Sequence, residues 1–397
     1  MSARCAGRTA AVACLLPFFA LAACEGSGSP AVTVADSAGV RVTVSEDVER
    51  VFGSLDSIPS LSLGGADATG PTQFFRIQGI HVDSESRIWV ADGQSGDLRI
   101  FEPDGSYWKT RGGRGEGPGE FMQIRLLGST PGDSVLVGDG ALDRVTVFSP
   151  QGEFVRTEPL SSSDRPAPRP FDVFGDGSIL GQLPRVLSAA SLESGQILTD
   201  SVELVRVGLN PPSIQPYGSA HGPLWIWTGR SQVPVPFTVN ASFDAIGPEV
   251  YLVSGPEFRV QVLEGGELKA VHAVDRAPRP VRDADVESYR TFVEEYVPEQ
   301  MRADYLAALQ HEARPSTLPA YDRVLVSASG NVWAQVYDPE IEAPHDWDVF
   351  GPEGRFLGRI HVWTGMYPLS VTEDAIVGVW RDSLGVEHVR SYRFIRS

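Results

Sequence analysis

Apolar and polar positions between Ile77 and Lys109 fall into four short runs. Gly79 to Val82 reads as a brief strand, and Asp83-Ser84-Glu85-Ser86 as a polar turn. Arg87 to Ala91 (RIWVA) is rich in β-formers, Gly93 to Asp97 is a loop, and Leu98 to Phe101 alternates into a third strand. Pro103-Asp104-Gly105 is a tight turn, in which proline presets φ and glycine accepts the positive φ that follows. Tyr107 and Trp108 open a fourth, outer strand.

The next stretch repeats this plan without a gap. Ile77 falls on Ile124, Asp92 on Asp139, Gly93 on Gly140, Phe101 on Phe148, Pro103 on Pro150, Gly105 on Gly152 and Tyr107 on Phe154. A third copy of F-x-P-x-G-x-aromatic runs through Phe350, Pro352, Gly354 and Phe356. More divergent units lie at 170–209, 237–274 and 367–395. Four short strands per period of roughly 40–50 residues is the pattern of a β-propeller, and six blades are expected. The last unit supplies three strands before the chain stops, so Pro59 to Leu63, which alternates apolar and polar residues, is expected to close the ring and remove its exposed edges. Asp283 to His311 breaks the period with Val286, Tyr289, Phe292, Val293, Tyr296 and Val297 at helical spacing. It reads as a helical insertion capped by Asp283 or Asp285, with a second helix after Pro298. It would serve as a surface cover over a blade edge or as a lid over one mouth of the ring.

The units resemble NHL-type repeats, and the linker GGRGEGPGEF (112–121) is similar to linkers of bacterial six-bladed β-propeller lipoproteins with NHL-like repeats. That resemblance implies an all-β fold of four-stranded antiparallel blades and no particular reaction, since propellers host binding, lyase, lactonase and hydrolase functions.

The N-terminus fits a lipoprotein. Arg4 and Arg8 precede an apolar stretch too short to span a bilayer, and Leu21-Ala22-Ala23-Cys24 resembles a lipobox. Residues 1–23 are thus read as a signal peptide, Cys24 as the lipidated residue, 24–35 as a flexible tether and 36–397 as the propeller. The expected location is the bacterial cell envelope, at the outer membrane, with the lipid anchor as the membrane contact. Cleavage would leave Cys24 as the only cysteine of the three in the sequence, excluding disulfides and cysteine metal sites. A net charge of −18 argues against nucleic acid as a partner.

Local chemical motifs are few. GGRGEGPGEF lacks the Lys-Ser or Lys-Thr of a phosphate loop and fits no G-x-G-x-x-G frame, and Glu116 and Glu120 would repel phosphate. It is read instead as a crossing between blades anchored by Phe121, with no helix after it. The seven histidines lack zinc-helix spacing, and no G-x-S-x-G elbow is present. Asp92 and Asp139 recur with the blade period, which suits loop-capping carboxylates better than a catalytic pair. His81, on an innermost strand, faces the channel or packs as an ordinary histidine. Trp225, Trp227 and Arg230 form either a ligand or partner surface or a strand whose indoles pack on the core. The expected function is a non-catalytic, monomeric binding module, without cofactor, that recognises a protein, peptide or glycan at one mouth. The alternative is a lactonase- or lyase-type enzyme with an axial Ca2+ or other divalent metal. Converging carboxylates and amides in the channel would favour the enzyme, and a mixed lining the binding module.

Overall fold

The computed structural model describes residues 31–160, 166–184, 192–340 and 344–395. The signal peptide, Cys24 and the first part of the tether lie outside the described residues. Six antiparallel sheets follow one another along the chain. Their innermost strands are Ile77–Val82, Ile124–Ser129, Arg169–Val173, Ser242–Ile246, Tyr321–Val326 and Met366–Val371. Each packs against the next around a ring, and the sixth returns to the first. The chain is a six-bladed β-propeller, numbered here from the blade that begins at Ile77.

The apolar character of each second strand follows from this arrangement. Ile88–Asp92 and Val135–Asp139 are buried at every position, because both faces of a blade meet a neighbouring blade. Six clusters of buried side chains fill the six seams. The repeated F-x-P-x-G turn serves the same packing. Gly105, Gly152 and Gly354 have φ of +86°, +71° and +80°. A Cβ there would strike Leu61, Ile100 and His272 respectively, each on the preceding blade. The turn therefore docks every such blade onto the one before it.

The ring closes as the sequence suggests, with Leu61–Gly64 pairing antiparallel to the last strand, Glu387–Ile395. The N-terminal segment does more than close it. Val32–Ser37 and Val40–Glu46 form a hairpin whose second strand lies parallel to Glu267–Asp275 at the outer edge of blade four. The expected tether is thus corrected at its end, since residues from Val32 onward are already strand. The chain then crosses blade five, where the Phe52 N–H donates to the Arg359 carbonyl (2.9 Å) and the Arg359 N–H to the Arg50 carbonyl (2.7 Å). Ser54–Leu55 pairs with the last strand of blade six. One N-terminal strap thereby ties the outer edges of three blades.

The GGRGEGPGEF segment is loop from Gly113 to its end, apart from a single bridge between Arg114 and Phe121, and no helix follows it. Phe121 is fully buried at the seam of blades one and two. The Arg144 guanidinium donates to the carbonyls of Glu116 (2.9 Å), Gly117 (2.7 Å) and Glu120 (2.9 Å), so a cation of the next blade holds the loop's carbonyls. Gly112 has φ of +80°, and a Cβ there would meet the Phe121 ring.

Asp92 and Asp139 are capping residues, each fully buried. Asp139 accepts the N–H groups of Met122 (2.7 Å), Gln123 (3.2 Å), Ala141 (2.9 Å) and Leu142 (3.1 Å). Asp92 accepts those of Phe75 (2.9 Å) and Gln94 (3.0 Å). Each carboxylate pins the incoming linker to the loop after the second strand of its own blade.

The helical insertion forms α1 (Asp283–Tyr296) and α2 (Glu299–Leu309). The Asp285 carboxylate caps α1 by accepting the Arg282 N–H at 2.7 Å, and Pro298 precedes α2. α2 does not stand alone over the ring. Its Ala308 packs with Ile226, Val233 and Val235 of blade three, while Leu309 joins Phe237 and Leu318.

Candidate functional site

All links from one blade's outermost strand to the next blade's innermost strand open on one face of the ring, here called the linker face. Blade three is extended on this face. Its row Arg169, Gln182, Leu204, Gly218 spans four strands. Beyond that row Gln196–Leu209 and Pro212–Trp227 continue as a two-stranded hairpin. About eight residues at ~3.3 Å each carry it about 25 Å past the inner strands. A short strand, Gln232–Pro234, pairs with its tip.

The hairpin has two different faces, because successive side chains alternate. Ile226 is buried with Ala308 of α2. Trp225 and Trp227 flank it in sequence and so lie on the opposite side, where both are half-buried. Cross-strand partners of Trp227 are Gln196 and Gln232, and those of Trp225 are Leu198 and Pro234. The result is a strip of two indoles on one face, with the amides of Gln196 and Gln232 on either side of Trp227. Arg230, at the adjoining turn, is exposed and lies 3.8 Å from Asp304 of α2. It fastens the hairpin tip to the helix, at a solvent-screened strength of no more than about 1 kcal/mol.

The channel holds a second polar group of residues. His81 lies on blade one's innermost strand, away from the tryptophans. Its Nε2 is buried without a protein partner, and burial holds the imidazole below its ordinary pKa. Near it, where Gly128 leaves the innermost strand of blade two bare, Asp172 of blade three approaches Asp244 of blade four. Both carboxyls meet one amide: the Ala245 N–H donates to Asp172 Oδ2 (2.6 Å) and to Asp244 Oδ1 (3.1 Å). Asp244 Oδ2 also accepts the Val326 N–H of blade five (2.6 Å). Burial, then the charge of Asp172, hold the Asp244 carboxyl well above the usual carboxylate range. Phe171 and Phe243 meet edge-to-face beside it, with ring centroids 4.9 Å apart. Among the described residues no three of His, Cys, Asp and Glu gather into a group able to hold a metal ion. Asp172 and Asp244 are occupied by backbone amides and by each other, so this donor set does not fit an axial divalent cation.

The raised Asp244 carboxyl has a measurable consequence. A carboxyl whose folded pKa is raised stabilises the fold fully below its unfolded pKa, and this contribution is lost as pH rises through the folded value. Asp244→Asn keeps an acceptor for Val326 and removes the charge that faces Asp172. The variant is expected to melt near wild type around pH 4 and progressively above it at higher pH, as thermal unfolding across that range would show. Parallel pH profiles would contradict the raised carboxyl.

A family model described as a 6-bladed beta-propeller matches residues 72–127. No curated protein matches the chain at a significant level. Among solved structures the chain is similar to a member of the DUF4221 family from Bacteroides vulgatus, at 10% identity and a TM-score of 0.51, over 87% of this chain and 100% of that one. It is also similar to a protein described as exported, from Bacteroides fragilis, at 12% identity and a TM-score of 0.48, over 88% and 98%. A gluconolactonase from Xanthomonas campestris aligns at 11% identity and a TM-score of 0.44, over 81% and 87%. At such identities the likeness extends to the fold. No helix among the described residues is long and apolar enough to cross a membrane.

Proposed function

We propose that this chain is a binding propeller of the bacterial cell envelope, anchored through Cys24, that recognises its ligand on the linker face by the Trp225–Trp227 strip. One observation carries the reading. α2 seals one side of the blade-three hairpin, while the opposite side carries two partly exposed indoles, Trp227 between Gln196 and Gln232 and Trp225 between Leu198 and Pro234. Indoles bury large area at low entropic cost and dominate binding interfaces. Extended peptides dock on aromatic surfaces as well as on sheet edges. Indoles with the Gln196 and Gln232 amides beside them suit the C–H face and the hydroxyls of a pyranose ring, and a glycan is the ligand proposed here.

Trp225→Ala with Trp227→Ala is expected to weaken glycan binding by about 2 kcal/mol, roughly thirtyfold in Kd, as titration calorimetry would measure. Thermal stability should fall as well, because each indole is partly buried, so affinity is compared at a temperature at which the variant is folded. Unchanged affinity in a folded double variant would refute the assignment.

A further inference from the structure

Three neighbouring blades each place an exposed arginine where the innermost strand begins on the linker face. Arg76 immediately precedes the strand of blade one, Arg125 is second in that of blade two, and Arg169 is first in that of blade three. None of the three makes an ion pair among the described residues, although acidic residues outnumber basic ones by 51 to 33 in the whole chain.

The backbone presents these groups in a specific way. In blades one and two the pairing of the innermost strand skips one residue, Gln78 and Arg125 respectively. Such bulges re-aim a side chain away from the regular pleat. The space that each side chain enters is vacated by the glycine after the capping aspartate. A Cβ on Gly93 would stand 2.5 Å from Gln78 Cγ, and one on Gly140 2.8 Å from Arg125 Cγ. The repeated Asp-Gly therefore has two duties, the carboxylate fastening the linker and the glycine seating the bulged side chain. With its amide oriented to satisfy its neighbours, Gln78 accepts from Arg76 Nε (3.2 Å) and donates to the Ile124 carbonyl (2.6 Å), which ties Arg76 to the edge of the next blade.

Arg169 begins the same row that leads, through Gln182, Leu204 and Gly218, to the overhanging hairpin. Trp225 lies seven residues beyond Gly218, about 20 Å along the strand. The arginine arc and the tryptophan strip thus stand on one face, offset by that length and by three strand spacings, roughly 25–30 Å from Arg169 to Trp225, so a single ligand that meets both is an oligosaccharide of about ten residues. Guanidinium groups suit carboxylates, which they bind with paired N–H donors.

Building on the tryptophan-strip reading, we propose that the ligand is an acidic glycan whose uronate carboxylates meet Arg76, Arg125 and Arg169 while its pyranose rings stack on Trp225 and Trp227. The test uses the mature chain from Cys24, with that cysteine replaced by serine, and decamers of galacturonate, glucuronate and mannuronate beside their methyl esters. The ester keeps the ring and removes the charge. At least one free decamer is expected to bind about tenfold more tightly than its ester, and added salt should erode that preference. Arg125→Gln with Arg169→Gln should bring acid and ester to similar affinity while sparing ester binding. Equal binding of acid and ester by the wild type would overturn the uronate assignment and leave the tryptophan strip standing. Retained binding of both in the Trp225→Ala, Trp227→Ala protein would overturn the strip itself. Binding of no decamer, or decaglutamate bound as tightly as the best one, would also overturn the acidic-glycan assignment.

Discussion

Leu61→Ala combined with Leu63→Ala is expected to unfold a large fraction of the protein or to lower its melting temperature more than any other pair of surface-strand changes. Both leucines are buried in the seam of blades six and one, with Phe101, Val377 and Val389. They sit on the strand that supplies the missing outer edge of blade six. Leu61 also receives the docked turn at Gly105. Each truncation removes about 2–5 kcal/mol, against a total near 5–15 kcal/mol for a typical domain. The loss is cooperative because an opened ring exposes strand edges that pair with other chains, so aggregation should accompany unfolding. Val51→Ala on the same strap is the control. Its side chain is 67% exposed and its removal should cost no more than about 0.5 kcal/mol. Urea titration of both variants would check this; a double variant as stable as wild type would show that the closing strand is dispensable.

Asp139→Ala is the second large effect. The carboxylate is fully buried and satisfies four backbone N–H groups at once. Alanine leaves those donors without an acceptor in a site that side chains do not refill, at a cost of roughly 3 kcal/mol or more. Asp139→Asn should fall between the two, since an amide offers one acceptor oxygen and turns a donor toward one of the former partners. Denaturant midpoints ranked wild type, Asn, Ala would fit this. Equal midpoints for all three would mean that the periodic aspartate is not what holds the linker.

The legible part of this fold is the part that repeats. F-x-P-x-G could be read because the same positive-φ turn docks on the preceding blade at Gly105, Gly152 and Gly354. The role of Asp92 and Asp139 was legible for the same reason. The strap over blades five and six was not, because residues 50–55 bind through backbone groups to partners more than 300 positions away and show no alternation of their own. The long hairpin of blade three was obscured by Pro212, Pro216, Gly218, Gly222 and Pro223. These residues read as loop, and in the structure they are accommodated by two irregularities in register.

Of the candidate site, sequence reading found Trp225 and Trp227 as a pair on one face, but their exposure depended on α2 covering the other. It placed Arg230 with them, whereas that side chain lies against Asp304 of α2. His81 was placed correctly on an innermost strand, far from the tryptophans in the fold. The Asp172–Asp244 pair escaped because innermost strands differ from blade to blade, so no period marks it. The residues there are an imidazole, two carboxyls that accept one backbone amide, and the Phe171 and Phe243 rings. The arginine arc escaped too, since Arg76, Arg125 and Arg169 occupy different offsets and come together only when three blades are set side by side.

Amide hydrogen exchange with and without the tightest-binding uronate decamer tests the placement of the ligand most directly. Binding at the tryptophan strip predicts slowed exchange within 196–199 and 224–234, extending to 169–170 and 123–126, with little change at Ser242–Ile246. Protection confined to the channel, at Ile77–Val82, Arg169–Val173 and Ser242–Ile246, would contradict it and locate recognition on the axis instead.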